Sequence, residues 1–385
     1  MVFQYHLPVN IVFGRGKVKE IGAIASQYGK KVLLVTGKGS TKKTGLLDLV
    51  INHLEKAGIK SVVFDEVEPN PLITTVAKGA DKCRDKGCDL VVGLGGGSVL
   101  DCAKAIAFMA DNEGDINDYI FMKKSSDKAL PLVLVPTTCG TGSEGNSFAV
   151  LTNPENGDKK SLRSLAIIAK TSIVDSSLME TMPSQVLASV GFDAFCHAME
   201  SYLARSAQPI STMMAKEAME LIGKHLIPVY EGVGTAKDWD AVTWASTLGG
   251  MSIGIAGVTL PHAMEHPASG LRDIVHGKGL AALTPAITKA SVEKAMQEND
   301  GDTVLEKYAI ISRSLGGIDA NDCEKQIRGL LEKLDLDINF TELGMKKEDV
   351  AWMGDNCIKV SSAGINNHPV EFSMEEIVEL YSSVY

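Results

Sequence analysis

The chain has 385 residues, 45% of them hydrophobic and 22% charged, which is long enough for two domains with separate cores and excludes a disordered chain. A net charge of −10, with Lys42 and Lys43 forming a pair and not a patch, excludes nucleic-acid and anionic-membrane partners. Seven cysteines, an odd number without a CxxC pair, do not make a disulfide framework, and MVFQYHLPVNIVFGRGK lacks a basic start followed by an apolar core, so a cytoplasmic protein is expected.

Up to about residue 178, short apolar runs alternate with helical patterns. KVLLVT at 31–36 reads as a strand, 46–57 as a helix, SVVFDE at 61–66 as a strand and 73–86 as a helix. DLVVGL at 89–94, a helix from 99, and PLVLVP at 131–136 continue the series. Runs with so little internal alternation suit strands buried on both faces, as in a parallel sheet wrapped by helices. Beyond Pro183 the strand signals fade, and amphipathic patterns follow at 211–227, 237–255, 303–315, 321–335 and 373–383. The expected architecture is an α/β Rossmann-like domain over 1–178 and an all-α domain over 179–385. The uncharged stretch 241–264 has the length of a membrane span, but its Gly, Ser and Thr content reads as a central helix of a bundle.

Two glycine-rich segments follow strands of the first half. In GGGSVLDCAK, Gly95, Gly96 and Gly97 let the backbone approach a ligand closely, and Ser98 is expected to cap the next helix, whose N-terminus suits a pyrophosphate. PTTCGTGSE at 136–144 offers the hydroxyls of Thr137, Thr138, Thr141 and Ser143. Two such loops after parallel strands imply a dinucleotide site. At the end of the first clear strand, VTGKGSTKK has no carboxylate from Gly37 to Lys43 and supplies Ser40, Lys42 and Lys43, a chemistry that prefers NADP(H) to NAD(H).

In the second half, Asp193 and His197 lie four apart in a helical pattern, one turn apart on one face. His262 and His276 are fourteen apart, too many for one helical face, so they are expected from two elements or from a helix and a following loop, with His266 four residues after His262. Pro261 suits a first helical turn, and Pro267 implies that this helix is short or restarts there. A single histidine in an apolar stretch is more often a packed residue than a ligand. Three imidazoles and a carboxylate in a buried region, however, form a set suited to a divalent transition metal such as Fe²⁺ or Zn²⁺.

GGGSxxDxAK at 95–104, PTTxGTGSE at 136–144, GFDAFCHAMESY at 191–202 and the downstream PHAMEHP and HGKG segments resemble the iron-containing (group III) alcohol dehydrogenases, and the likeness runs over nearly the whole chain. The resemblance implies Fe²⁺ held by Asp193, His197, His262 and His276, and His266 as a residue of proton relay. It assigns Gly96, Gly97 and Ser98 to the pyrophosphate and Thr138 and Thr141 to the nicotinamide side. Asp101 and Lys160 are weaker matches, with Lys159 competing for the latter. NAD-specific members carry an aspartate at the position of Gly37, so its absence again favours NADP(H). The implied reaction is hydride transfer between NADP(H) and a small primary alcohol, diol or aldehyde, in a homodimer. Glycerol dehydrogenases and dehydroquinate synthases share the fold, but the latter need a basic substrate pocket, and only Arg272 stands near 262–276. A catalytically idle nucleotide-binding protein would not need the intact ligand set.

Overall fold

The computed structural model describes residues 2–298 and 301–385. They divide into two compact units: His6–Asn156 with Lys160–Met182, and 2–5 and Gly157–Lys159 with the described residues from Pro183 to Tyr385.

The first unit is built on β1 (Asn10–Phe13), β2 (Lys31–Gly37), β3 (Lys60–Val67), β4 (Leu90–Gly95), β5 (Leu132–Pro136), β6 (Phe148–Thr152), β7 (Lys159–Arg163) and β8 (Thr171–Val174). Six of these form one sheet in the order β1-β8-β5-β4-β2-β3, every neighbouring pair parallel, while β6 and β7 pair separately. Interleaved are α1 (Ile21–Ala25), α2 (Ser40–Lys43), α3 (Leu46–Lys56), α4 (Ile73–Asp85), α5 (Gly97–Ala110) and α6 (Ile116–Ile120).

The unbroken apolar runs follow from burial on both faces. Leu33, Val35, Val91, Leu132 and Leu134 enter a core with the buried side chains of α4 and α5. The alternate residues Val32, Leu34, Val92, Leu94, Val133 and Val135 enter another with α1 and α3. Neither set of alternating positions reaches water, so a polar residue at any of them would lose burial worth ~1.5–3 kcal/mol per large side chain. The sequence reading missed β1 and β8, whose four residues are too few to show a period, and the separate pair β6 and β7.

The second unit consists of α7 (Ser184–Leu203), α8 (Pro209–Tyr230), α9 (Ala236–Ala256), α10 (Leu260–Arg272), α11 (His276–Ala295), α12 (Gly301–Ser314), α13 (Cys323–Lys333), α14 (Asp349–Asn367) and α15 (Met374–Ser383). The uncharged stretch 241–264 is not one helix. It breaks between α9 and α10 with a bend of 102°, where Gly257 takes φ +70°. Asn367 Nδ2 donates to the carbonyls of Ala256 (2.7 Å) and Val258 (3.1 Å) across the break. Among the described residues no single helix is long and apolar enough to cross a membrane.

Pro267 neither ends nor restarts α10, contrary to expectation. Its missing N–H would have bonded the Ala263 carbonyl four residues earlier. The thiol of Cys357 donates to that oxygen instead, at 3.2 Å, and Tyr381 Oη donates to the next carbonyl, Met264, at 2.6 Å. Side chains of α14 and α15 therefore satisfy the backbone around the proline, and α10 runs on to Arg272 with His262 and His266 one turn apart.

Candidate active site

In α7 the apolar periodicity brings Asp193 and His197 to the same buried face, 3% and 5% exposed. Pro261 lies in the first turn of α10, and the next residue is His262; His276 is the first residue of α11. The start of α11 comes close to α7 because residue 277 has no side chain: a Cβ there would stand 2.1 Å from the Ser189 carbonyl oxygen. These three helices bring the four side chains together. Asp193 Oδ1 lies 3.5 Å from His197 Nε2, 3.4 Å from His262 Nε2 and 3.6 Å from His276 Nε2.

Those separations are long for hydrogen bonds and near the edge of a tetrahedron, roughly 3.4 Å, whose corners sit ~2.1 Å from a central ion; ligand atoms of Asp193, His262 and His276 all lie within 4.8 Å of one another, while His197 meets Asp193 from outside that group. Asp193 Oδ1 and His262 Nε2 are buried without a hydrogen-bond partner, a costly state for both unless a cation lies between them. The residues present therefore fit a divalent metal held by one carboxylate oxygen and imidazole Nε2 atoms.

The other ring nitrogens are held by two acids that sequence reasoning missed. His262 Nδ1 donates to Glu200 Oε1 at 2.5 Å, and the second oxygen of Glu200 accepts from the Thr259 amide at 2.7 Å, at the N-terminus of α10. That placement adds the favourable interaction of an anion with a helix start. His276 Nδ1 donates to Glu265 Oε2, which also faces Lys159 Nζ at 3.6 Å. Lys159 in turn donates to Ser269 Oγ at 2.7 Å. Each acid fixes the tautomer that turns Nε2 towards Asp193. Glu200 lies one turn beyond His197 and Glu265 one residue before His266, so their spacing was visible, but nothing local announced their partners.

Glu265, His266 and His276 make a second grouping with ligand atoms within 4.8 Å of one another. There the ammonium of Lys159 already supplies the counter-charge, 3.6 Å from Glu265. The ring of His266 stands edge-on to His262, centroids 6.1 Å apart, and 5.8 Å from that of His276. It is beside the cluster and half-buried.

Burial would raise the Asp193 carboxyl, but the imidazoles of His197, His276 and His262 hold it well below the usual carboxylate range. Burial pushes His197 down to about 4, against the pull of Asp193. It would lower His262 as well, yet Glu200 and Asp193 raise that imidazole to about 10. Glu265 sits at about 2, because His276 and Lys159 outweigh the effect of its burial. Burial and then Lys159 drive His266 well below the ordinary imidazole value, which keeps it neutral.

The first unit carries the glycine loops. Gly96, not Ser98, stands at the N-cap of α5, and no side chain caps the helix, so the expected Ser98 cap is corrected: Ser98 lies within the first turn. An uncapped N-terminus leaves backbone N–H groups for an anion. The second loop packs on the first: a Cβ at Gly97 would meet Thr141 at 2.2 Å, and one at Gly96 would meet Thr138 at 3.2 Å. Thr137, Thr138 and Thr141 are half-buried along this loop, and Thr137 N donates to the Gly95 carbonyl.

Asp101 is tied to the second loop. One oxygen accepts from Ser143 Oγ at 2.5 Å and the other from the Val150 amide at 2.9 Å, so it ties the two loops together from below. Lys104, fully buried, donates to Asn146 Oδ1 (2.9 Å) and the Phe148 carbonyl (2.8 Å) and braces the same loop. Of the competing lysines, Lys159 joins the histidine cluster, whereas Lys160 Nζ lies over the Phe121 ring, 5.5 Å from its centroid. Gly37 ends β2, and Ser40 and Lys42 lie on α2.

Residues 8–176 match the family model of iron-containing alcohol dehydrogenases, and 187–385 match the C-terminal model of the same family. The chain is 33% identical to a 1,3-propanediol dehydrogenase of Citrobacter freundii, covering 100% of this chain and 99% of that one. It is 30% identical to an NADPH-dependent butanol dehydrogenase of Clostridium saccharobutylicum (100% and 98% covered). It is also 30% identical to an NADH-dependent butanol dehydrogenase A of Clostridium acetobutylicum (100% and 99% covered). Among solved structures, an archaeal halo-thermophilic alcohol dehydrogenase from a Red Sea brine pool superposes with a TM-score of 0.94 at 34% identity, covering 100% of this chain and 99% of that one.

Proposed function

Since the chain belongs to the iron-containing alcohol dehydrogenase family and is an NAD(P)-dependent alcohol dehydrogenase, we propose that it interconverts a small primary alcohol or diol and its aldehyde. In this reading it binds Fe²⁺ through Asp193, His197, His262 and His276 and uses NADP(H) ahead of NAD(H). The observation that carries the metal assignment is the unpartnered Asp193 oxygen with three Nε2 atoms at 3.4–3.6 Å around it. When bound, the metal supplies Lewis acidity and the nicotinamide gives or takes the hydride.

The protein's own residues do the rest. Glu200 and Glu265 hold His262 and His276 in the required tautomer and orientation. His266, beside the cluster with its ring 6.1 Å from that of His262, is placed to pass on the proton that the alcohol gives up on oxidation and to return it on reduction. Gly96, Gly97 and Ser98 offer the helix N-terminus to the pyrophosphate, with Thr137, Thr138 and Thr141 along the adjoining loop. Asp101 and Lys104 keep those two loops in register. Support for NADP(H) is the absence of a carboxylate from Gly37 to Lys43. Relatives that use NADPH and NADH are equally similar to this chain. The substrate class is supported by propanediol and butanol among the relatives' substrates.

The test is an anaerobic assay of Fe²⁺-loaded enzyme against C2–C4 primary alcohols, diols and aldehydes with each cofactor, coupled to metal analysis. The expected result is turnover that favours NADP(H), with His276→Ala losing metal and turnover together. A His276→Ala enzyme that turns over after chelation would refute the metal assignment, and equal or better use of NAD(H) would refute the cofactor preference.

A further inference from the structure

We infer that Asp65 is a cofactor-specificity residue: its carboxylate competes with the 2′-phosphate of NADP(H) for Lys42 and so moderates the preference for the phosphorylated cofactor. This rests on the reading that the segment from Gly37 to Lys43 receives the adenosine ribose.

The sheet supports that location. β2 lies beside β4, with Thr36 opposite Leu94, one residue before the glycine turn begins at Gly95. A Cβ at Gly37 would stand 3.7 Å from Val99 Cγ2 in the first turn of α5, so the end of β2 adjoins the helix N-terminus offered to the pyrophosphate. In a parallel nucleotide-binding sheet, the ribose next to that pyrophosphate falls at the end of the neighbouring strand.

Lys42 is held at the same place. A hydrogen bond of 2.7 Å between the hydroxyls of Thr36 and Thr41, both buried, fastens α2 to the end of β2. Lys42 Nζ does not stand alone in solvent; it is hydrogen-bonded to Asp65 Oδ2 on β3. β3 is the outer neighbour of β2, with Val35 opposite Phe64 and, after a register shift, Gly37 opposite Val67. The Lys42 ammonium holds the Asp65 carboxyl below its ordinary value.

A carboxylate therefore reaches this site from a strand 23 residues further along, although none occurs between Gly37 and Lys43. Its chemistry divides the two cofactors. With NAD(H), the Asp65 carboxylate can keep Lys42 or accept from a ribose hydroxyl. With NADP(H), a phosphate of about −1.5 to −2 charge must share Lys42 with an anion already bound to it. Both side chains are 46% and 37% exposed, so solvent screens the competition and its size is modest.

The experiment measures Kd for NADP⁺ and NAD⁺ by calorimetry with the metal-loaded enzyme, for wild type, Asp65→Asn and Lys42→Ala. Asp65→Asn is expected to tighten NADP⁺ by about fivefold, the upper range for an exposed charge pair, and to leave NAD⁺ unchanged or weaker. Lys42→Ala is expected to weaken NADP⁺ by at least as much while leaving NAD⁺ unchanged. An unchanged NADP⁺/NAD⁺ ratio in Asp65→Asn overturns the inference. So does weaker NADP⁺ binding, because Asp65 would then be orienting Lys42 for the phosphate. A Lys42→Ala variant that binds both cofactors like wild type refutes the underlying placement of the ribose. A wild type that prefers NAD⁺ refutes only the proposed cofactor preference, since the shift caused by Asp65→Asn is read independently of it.

Discussion

Replacing Glu265 with Gln tests whether the acids behind the histidines set the metal affinity. Glu265 is fully buried; its Oε2 accepts from His276 Nδ1 and faces Lys159 Nζ at 3.6 Å, with only 5% of the lysine side chain exposed. At that distance and an effective dielectric near 20, the attraction between the two charges is roughly 4–5 kcal/mol. Removing one member of a buried pair typically costs about 3–5 kcal/mol, because the other charge is left uncompensated. The glutamine also withdraws the carboxylate from His276, a change that usually lowers metal affinity by ~10–100-fold. Glu265→Gln should therefore release metal to a competing chelator at least tenfold more readily than wild type, and its metal-free form should melt at a lower temperature. Adding Lys159→Met removes the stranded ammonium and should recover much of the lost stability but not the metal affinity, which depends on His276. Metal retention measured by elemental analysis, together with thermal melts of the metal-free proteins, separates the two effects. A Glu265→Gln protein that holds metal within twofold of wild type and melts alike would refute the reasoning.

Lys104 predicts a pH dependence of opposite sign to that of a paired surface lysine. Burial lowers it from 10.5 to about 8, so between those values the unfolded chain binds more protons than the folded one. Wild-type stability should accordingly rise with pH across that window relative to Lys104→Met, with no relative slope below it, as measured by urea unfolding at intervals from pH 7 to 10.5; a flat difference would refute it. Cys357→Ala should cost about 1–3 kcal/mol by leaving the Ala263 carbonyl without its donor, and Pro267→Ala in that background should recover part of the loss by restoring a backbone N–H. Equal urea midpoints for Cys357→Ala and wild type would show that the thiol does not sustain α10.

What could be read from the sequence was whatever repeats locally. Buried parallel strands showed as the unbroken runs at 31–36, 89–94 and 131–136, and the one-turn spacing of Asp193 and His197 followed from the helical pattern around them. What could not be read depends on partners distant in the chain. Glu200 meets a histidine 62 residues on, and Lys159 meets an acid of α10 more than a hundred residues later. Asp65 reaches Lys42 only because β3 folds beside β2. Pro267 was misjudged for the same reason: its cost to the helix is offset by a thiol and a phenol from α14 and α15, which no window around residue 267 contains. The Ser98 cap failed locally, since three glycines allow the helix to begin two residues earlier than a serine cap requires.

The charge balance of the histidine cluster explains why its two supporting acids belong with a divalent metal. Asp193, Glu200 and Glu265 are buried, at 3%, 0% and 0% exposure, and formally bring three negative charges, against which Lys159 formally supplies one positive charge. With neutral imidazoles, the pairing of Lys159 with Glu265 balances one acid, and Asp193 and Glu200 leave an excess of two negative charges away from water, a costly state without further compensation. One compensation is protonation, and His262, raised to about 10 between Glu200 and Asp193, shows where a proton would go. A divalent cation among the Nε2 atoms would neutralise the whole excess and displace that proton. The same acids that orient the ligands thus also make the metal-free site electrostatically incomplete, so that orientation and affinity have a common origin in three carboxylates carried by only two helices, α7 and α10.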